Sequence, residues 1–434
     1  MTVEVLRALY YDPTKSIDRV QNGTTKGRSI KGKLWLASTT IPKPGQHNIT
    51  DAIFQAIEAL GDGTEQYNRP DAVPLQAQWI GSRPDATDYE EAPEIPEEEK
   101  YKLMMEEKTL TSSTTVLYFH GGQYYMGVWR THRQTASRLA KACRGRALSI
   151  EYRLAPQTAF PGQLVDALNA YLYLMYPPKG SFHQAVPAGD IVFAGDGAGG
   201  NLAASLMQLL LHMQRTRPAG TETSTILFHG TGVPVPLPAG MATLSGWFDV
   251  ARAMPSVRAN QIWDYLPPVD HDNALSQLPN DDIWPTTPPR GDIFCDLSLL
   301  CHPLVSPMIS KDWSGCPPMY LMTGELELLV DENMLVAVKA AEHGVTIVWE
   351  QYEAMPHAFP TAFPDRETSA RCINAVGYFA RECVESDVKS RATWIAKASG
   401  IESPMQLSTN LTWEYATARM MNAQLRRYNG YKHR

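Results

Sequence analysis

The segment Phe193-Ala194-Gly195-Asp196-Gly197-Ala198-Gly199-Gly200-Asn201 has the spacing of a sharp turn from a strand into a helix. In the pattern G-x-S-x-G, such a turn lifts a serine hydroxyl above a sheet, where it can attack an acyl carbon. Here the spacing is intact, but the central position is Gly197, which has no side chain. A glycine-rich turn of this kind can also cradle a phosphate on its exposed N–H groups. That use calls for G-x-x-x-x-G-K-[ST] or G-x-G-x-x-G, and neither pattern fits.

Three further segments carry chemistry. His120-Gly121-Gly122-Gln123-Tyr124 follows an apolar run, and its small residues bare backbone N–H groups. Gly121 and Gly122, together with the N–H of Ala198, form a candidate oxyanion hole. His120 and Tyr124 are candidate substrate-binding residues. Glu327 lies in Gly324-Glu325-Leu326-Glu327-Leu328-Leu329-Val330-Asp331-Glu332, after a late strand, and His357 lies in Met355-Pro356-His357-Ala358-Phe359, after the last one. One histidine among 11 is more often structural than catalytic. The chain order nucleophile position, acid, histidine argues for a role, because a histidine with an oriented carboxylate moves protons.

The elements that must position these residues are legible as alternating strands and helices. Runs at Val73–Ile80, Thr115–Phe119, Ala147–Tyr152, Asp190–Ala194, Met241–Leu244, Tyr320–Thr323 and Thr346–Gln351 read as strands. Segments Arg130–Ala142, Gly162–Tyr176, Gly199–Met213, Asp331–His343 and Glu367–Cys383 read as helices between or after them. Strands joined by helical crossovers form a mostly parallel sheet covered on both faces. The expected organisation is an N-terminal helical lid over 1–72 and a core over 73–383, with a lid insertion at about 251–301. A C-terminal helical extension covers 384–434. The acidic stretch Asp85–Lys108 reads as a solvated loop or exposed helix. The basic residues Arg426, Arg427, Lys432 and Arg434 read as a solvated helix end.

Composition narrows the partners. The 434 residues carry a net charge of -7, with 44% hydrophobic and 20% charged residues. There is no basic footprint for nucleic acid. No apolar run approaches the roughly 20 residues needed to span a bilayer. The start Met1-Thr2-Val3-Glu4-Val5-Leu6-Arg7 does not read as a secretory signal. The six cysteines fit neither a zinc site nor a disulfide framework, so reduced thiols in a cytoplasmic protein are expected. No motif implies a metal or organic cofactor. The expected partner is a small molecule, and a homodimer is compatible with everything above.

Taken together, these segments resemble the hormone-sensitive-lipase family of α/β-hydrolases. The resemblance runs through His120-Gly121-Gly122, Glu151-Tyr152-Arg153-Leu154-Ala155-Pro156 with Phe160-Pro161, the glycine turn, Leu244-Ser245-Gly246-Trp247, Gly324–Glu332 and His357. It implies an α/β-hydrolase fold with a helical lid. It also implies oxyanion donors at Gly121, Gly122 and Ala198, an acid at Glu327, a base at His357 and a nucleophile at position 197. Gln123 departs from a common third glycine and Gln157 from a common glutamate. Gly197 departs from serine, by natural loss or by design, and natural loss is the reading adopted because alanine is the usual engineered replacement. Without a nucleophile no acyl-enzyme forms. Three functions then compete. One is an esterase scaffold working feebly through water. Another is a different enzyme using His357 and Glu327 for proton transfer in an aldol-type, elimination or cyclisation step. The third is a small-molecule-binding protein resembling the gibberellin receptors. Retention of both Glu327 and His357 favours the enzymes.

Overall fold

The computed structural model describes residues 3–10, 12, 14–24, 31–45, 47–267, 278–397 and 400–432. Residues 268–277 of the expected lid insertion and Arg434 of the basic end lie outside them. Twelve strands are present among the described residues: β1 (Leu34–Ile41), β2 (Leu75–Ser82), β3 (Thr115–Phe119), β4 (Arg146–Ile150), β5 (Ile191–Asp196), β6 (Thr225–Phe228), β7 (Thr231–Pro234), β8 (Gly240–Leu244), β9 (Met319–Gly324), β10 (Ile347–Tyr352), β11 (Arg391–Ile395) and β12 (Glu402–Pro404). Ten of them form one sheet in the order β1-β2-β4-β3-β5-β8-β9-β10-β11-β12, while β6 and β7 make a separate hairpin. Pairing is parallel from β4 through β11 and antiparallel at both edges.

The central strands β3, β5, β8 and β9 are buried along their whole length. That is why they read as continuous apolar runs rather than as alternating ones. One face of the sheet packs against the helices Gly162–Met175 and Ala198–Arg215, through Leu164, Leu168, Leu202 and Leu206. The other packs against Arg133–Ala142 and Glu367–Glu385, through Leu139, Ile373, Val376 and Phe379. Right-twisted parallel strands with helical crossovers leave a crevice at their carboxyl ends. The turns after β3, β5, β8, β9 and β10 all meet there. All six cysteines are free thiols. No described helix is long and apolar enough to cross a membrane.

Both ends of the chain depart from the expected lid and extension. Residues 34–41 are strand β1, antiparallel to β2 with Thr39 opposite Ala77, so this part of 1–72 is sheet rather than helical lid. Its apolar residues do not alternate cleanly, and its partner is remote in sequence, so a local reading misses it. The helix Asn48–Leu60 buries Ile49, Ile53, Phe54 and Ile57 in the main core; it packs on the helices Gly162–Met175 and Ala198–Arg215 and on β6, away from the crevice. At the other end, β11 and β12 extend the sheet before the helix Trp413–Lys432. The C-terminal extension is therefore part strand.

Candidate active site

Gly197 stands between the end of β5 and the helix Ala198–Arg215, with φ 50° and ψ −112°. Positive φ is the region that glycine enters at no steric cost. The turn is tight because Gly199 lies against β3. A Cβ on Gly199 would fall 2.0 Å from the Phe119 carbonyl oxygen. Asn201 in the first turn of the helix locks the arrangement. Its amide donates to the carbonyls of Trp247 (2.6 Å) and Val305 (2.9 Å), and its oxygen accepts from the Tyr124 hydroxyl (2.6 Å).

His357 arrives from the loop after β10. A Cβ built on Gly197 would lie 3.2 Å from His357 Nε2, so the ring faces the turn across the crevice. Burial, helped by the Arg252 charge and opposed by Asp196, pushes its pKa down to about 4. The ring is therefore a neutral base at ordinary pH.

Glu327, after β9, is fully buried. Its Oε2 accepts from the Ser245 hydroxyl (2.6 Å) and the Gly324 N–H (2.9 Å). Burial pushes the carboxyl well above its ordinary range, and the nearby Asp264 carboxylate adds to this. The expected Glu327–His357 hydrogen bond is not formed. Among the described residues, Glu327 Oε1 and His357 Nδ1 each lack a partner. The link between the two loops runs through Ser245 instead, whose Oγ also accepts the Ala358 N–H (2.9 Å).

The oxyanion turn needs a second correction. Gly121 donates its N–H to Asp196 Oδ1 (3.0 Å), so that group is engaged by a side chain rather than aimed into the crevice. The cause is the short carboxylate of Asp196, which folds back under the turn. Gly122 and Ala198 line the cavity, and among the described hydrogen bonds neither N–H has an acceptor. Ala198 opens its helix, where first-turn N–H groups have no intrahelical partner. His120 and Tyr124, expected to touch the substrate, lie behind the cavity wall. Both are fully buried. His120 stacks on Tyr152 with ring centroids 4.2 Å apart, and Tyr124 stacks on Phe294 at 3.8 Å.

Four residues that sequence reasoning left without a role complete the site: Ser245, Asp264, Asp196 and His132. Ser245 falls in a segment that carried the resemblance, so its position was visible and its function was not. Asp264, from the insertion, is wholly buried. It accepts backbone N–H groups from Tyr265 (2.7 Å), Leu266 (3.4 Å), Leu328 (2.7 Å) and His357 (3.3 Å). One carboxylate thus grips the acid loop and the histidine loop together. Burial outweighs those four donors and pushes its pKa up to about 6. Arg7, from the helix Val3–Tyr10, in turn donates to the backbone carbonyls of Asp264 and Gln261.

The cavity enclosed by these parts measures about 570 Å³. Met126, Trp247, Leu266, Pro267 and Leu329 supply apolar wall, while Asp196, His132 and His357 supply titratable groups. Gln123, Arg252 and Ala358 on the wall hold positive φ of 52°, 53° and 40°. Backbone strain of this kind collects at functional sites.

Comparison with known proteins agrees with this fold. A family model described as the α/β hydrolase fold matches residues 116–361. An acetyl-hydrolase of Streptomyces hygroscopicus is 29% identical over 275 residues, covering 63% of this chain and 78% of the relative. An esterase of Acinetobacter venetianus is 28% identical over 257 residues, covering 58% and 71%. Among solved structures, an esterase from the bacterial hormone-sensitive lipase family superposes with a TM-score of 0.56 at 21% identity. That alignment covers 88% of this chain and 96% of that one, and at such identity it speaks for the fold alone.

Proposed function

Because the chain belongs to the α/β-hydrolase fold family, a family of hydrolases, we propose that it cleaves a small, largely apolar carboxylic ester by direct attack of water. The reading rests above all on one observation: the neutral Nε2 of His357 faces the space a side chain would take at residue 197. In this scheme His357 removes a proton from water as the oxygen adds to the ester carbonyl carbon. The carbonyl oxygen becomes an oxyanion and meets the N–H groups of Gly122 and Ala198. Collapse releases the acid and the alcohol. Position 197 offers no hydroxyl to acylate, so the rate is that of an incomplete triad, about 10³–10⁴-fold over water.

The test is to follow p-nitrophenyl butyrate from the first turnover. Steady release without a burst, with no acyl adduct in the intact mass and with loss of the rate in His357→Ala, is the expected result. Release no faster than in buffer would overturn the hydrolytic reading. It would favour a second one, in which the same base takes a proton from a carbonyl compound. That reading draws on the direct exposure of His357 Nε2 to the cavity.

The pH profile follows from the burial of two groups. The protonated ring is inactive, and the lowered pKa of His357 keeps the base form down to about pH 4. The rate should therefore persist through the region near 6.5 where an ordinary histidine protonates, and fall only toward pH 4. Asp264 takes up its proton at about 6, so any step in kcat/KM near that pH should vanish in Asp264→Asn. A simple decline centred near 6.5 would show that His357 is not the base.

A further inference from the structure

The cavity wall carries a second histidine. His132 Nε2 lies 3.4 Å from Asp196 Oδ2, and its Nδ1 lies 3.3 Å from the Val128 carbonyl oxygen and 3.0 Å from Thr131 Oγ1. A carbonyl oxygen only accepts. Asp196 is itself surrounded by donors: Oδ1 takes the Tyr118 hydroxyl (2.5 Å) and the Gly121 N–H (3.0 Å). A carboxylate so placed is ionised, and a ring whose two nitrogens both face acceptors carries both protons. The arrangement is that of an imidazolium–carboxylate pair. Both side chains are nearly buried, at 12% and 7% exposure, and both line the cavity beside Gly197.

Resting on the hydrolytic reading above, we propose that His132 is the acid of the reaction and protonates the leaving oxygen of the ester. In a two-stage mechanism one histidine serves the attacking and the leaving oxygen in turn. Direct attack by water asks the same of His357, which would take a proton from water and return it to the departing oxygen of the same intermediate. A second ring divides the work. His357 takes the proton from water, and His132 turns its Nε2 proton, which at 3.4 Å from Asp196 Oδ2 is in an ion pair longer than a normal hydrogen bond, to the departing alkoxide as the C–O bond breaks. The products are the neutral alcohol and the acid. His357 ends with one proton more and His132 with one fewer, and solvent restores both. The His132 charge also offsets that of Asp196, which would otherwise oppose an oxyanion forming beside it.

The protonation states agree with these roles. Burial works against charge on His132, but the Asp196 carboxylate outweighs it and raises the ring above the ordinary histidine value. His357 is shifted the other way. Two like groups pushed apart in this manner are suited to opposite tasks.

The test compares butyrate esters that differ only in the leaving alcohol. p-Nitrophenolate leaves without a proton, whereas ethoxide needs one. His132→Gln should lower kcat/KM for ethyl butyrate by about 10²-fold and change p-nitrophenyl butyrate far less. Equal losses on both esters would mark His132 as structural and overturn the proposal, while leaving the hydrolytic reading in place. No turnover of either ester by the unmodified chain would remove both. Should His132→Gln not fold, a series of alkyl and aryl butyrates with the unmodified chain decides. A weak dependence of rate on the acidity of the alcohol supports an acid at work, and a steep one overturns it.

Discussion

Gly197→Ser is expected to raise hydrolysis of p-nitrophenyl acetate by roughly 10²-fold or more, with a burst of p-nitrophenol and an acyl adduct visible in the intact mass. Two of the parts that a serine needs are already in place. Residue 197 has the φ of 50° and the helix at its back, and His357 Nε2 is 3.2 Å from the future Cβ. Two costs limit the gain. A serine at positive φ is strained by about 1–3 kcal/mol, so the variant should lose roughly 1–2 kcal/mol of stability. The ring must also give way by a few tenths of an ångström, because the present contact is closer than most real ones. Gly197→Ser combined with His357→Ala should lose both burst and adduct. A folded serine variant with no gain would mean that the cavity has been reshaped for proton transfer or for binding alone.

Asp264→Ala is expected to cost about 3–5 kcal/mol in chemical denaturation and most of the ester turnover. The substitution leaves the N–H groups of Tyr265, Leu266, Leu328 and His357 without their shared acceptor. A buried donor stripped of its partner costs about 1–3 kcal/mol, and four on connected loops do not add in full. Activity should fall further than stability alone explains, since two of the donors belong to the loops carrying Glu327 and His357. Asp264→Asn retains one acceptor oxygen and should fall between the two. Equal stability of Asp264→Ala and the unmodified chain would show that the loops hold their own shape.

What was legible in the sequence was whatever a local constraint imposes. Gly195, Gly197 and Gly199 mark the turn: a Cβ on Gly199 would strike β3, one on Gly195 would strike the backbone of Gly199, and the φ at 197 strains any other residue. Buried parallel strands announce themselves as apolar runs, so β3, β5 and β9 were visible. What stayed hidden depends on where groups point. The glycines of His120-Gly121-Gly122 show that N–H groups are bare, but not that Asp196 takes one of them. The Glu327–His357 order is sequential, whereas the link through Ser245 is spatial. Asp264 has no motif at all, because a carboxylate that accepts four backbone donors can sit in any sequence context. The edge strands β1, β11 and β12 escaped for a related reason: their pairing partners are distant or short, and half-exposed strands follow their neighbours more than their own composition.

The bond from Arg7 to Asp264 spans 257 residues of chain, and it sits beside a cavity whose wall includes Gly23 and Thr24. Closing so long a loop carries a large entropic penalty that only the completed surroundings repay. Contacts of such separation form late when a chain folds. The sheet, the glycine turn and His357 can therefore be assembled before the chamber around them is shut. A ligand filling the cavity would touch Gly23 and Thr24 as well as His357, and so would stabilise the N-terminal segment against unfolding together with the catalytic loops.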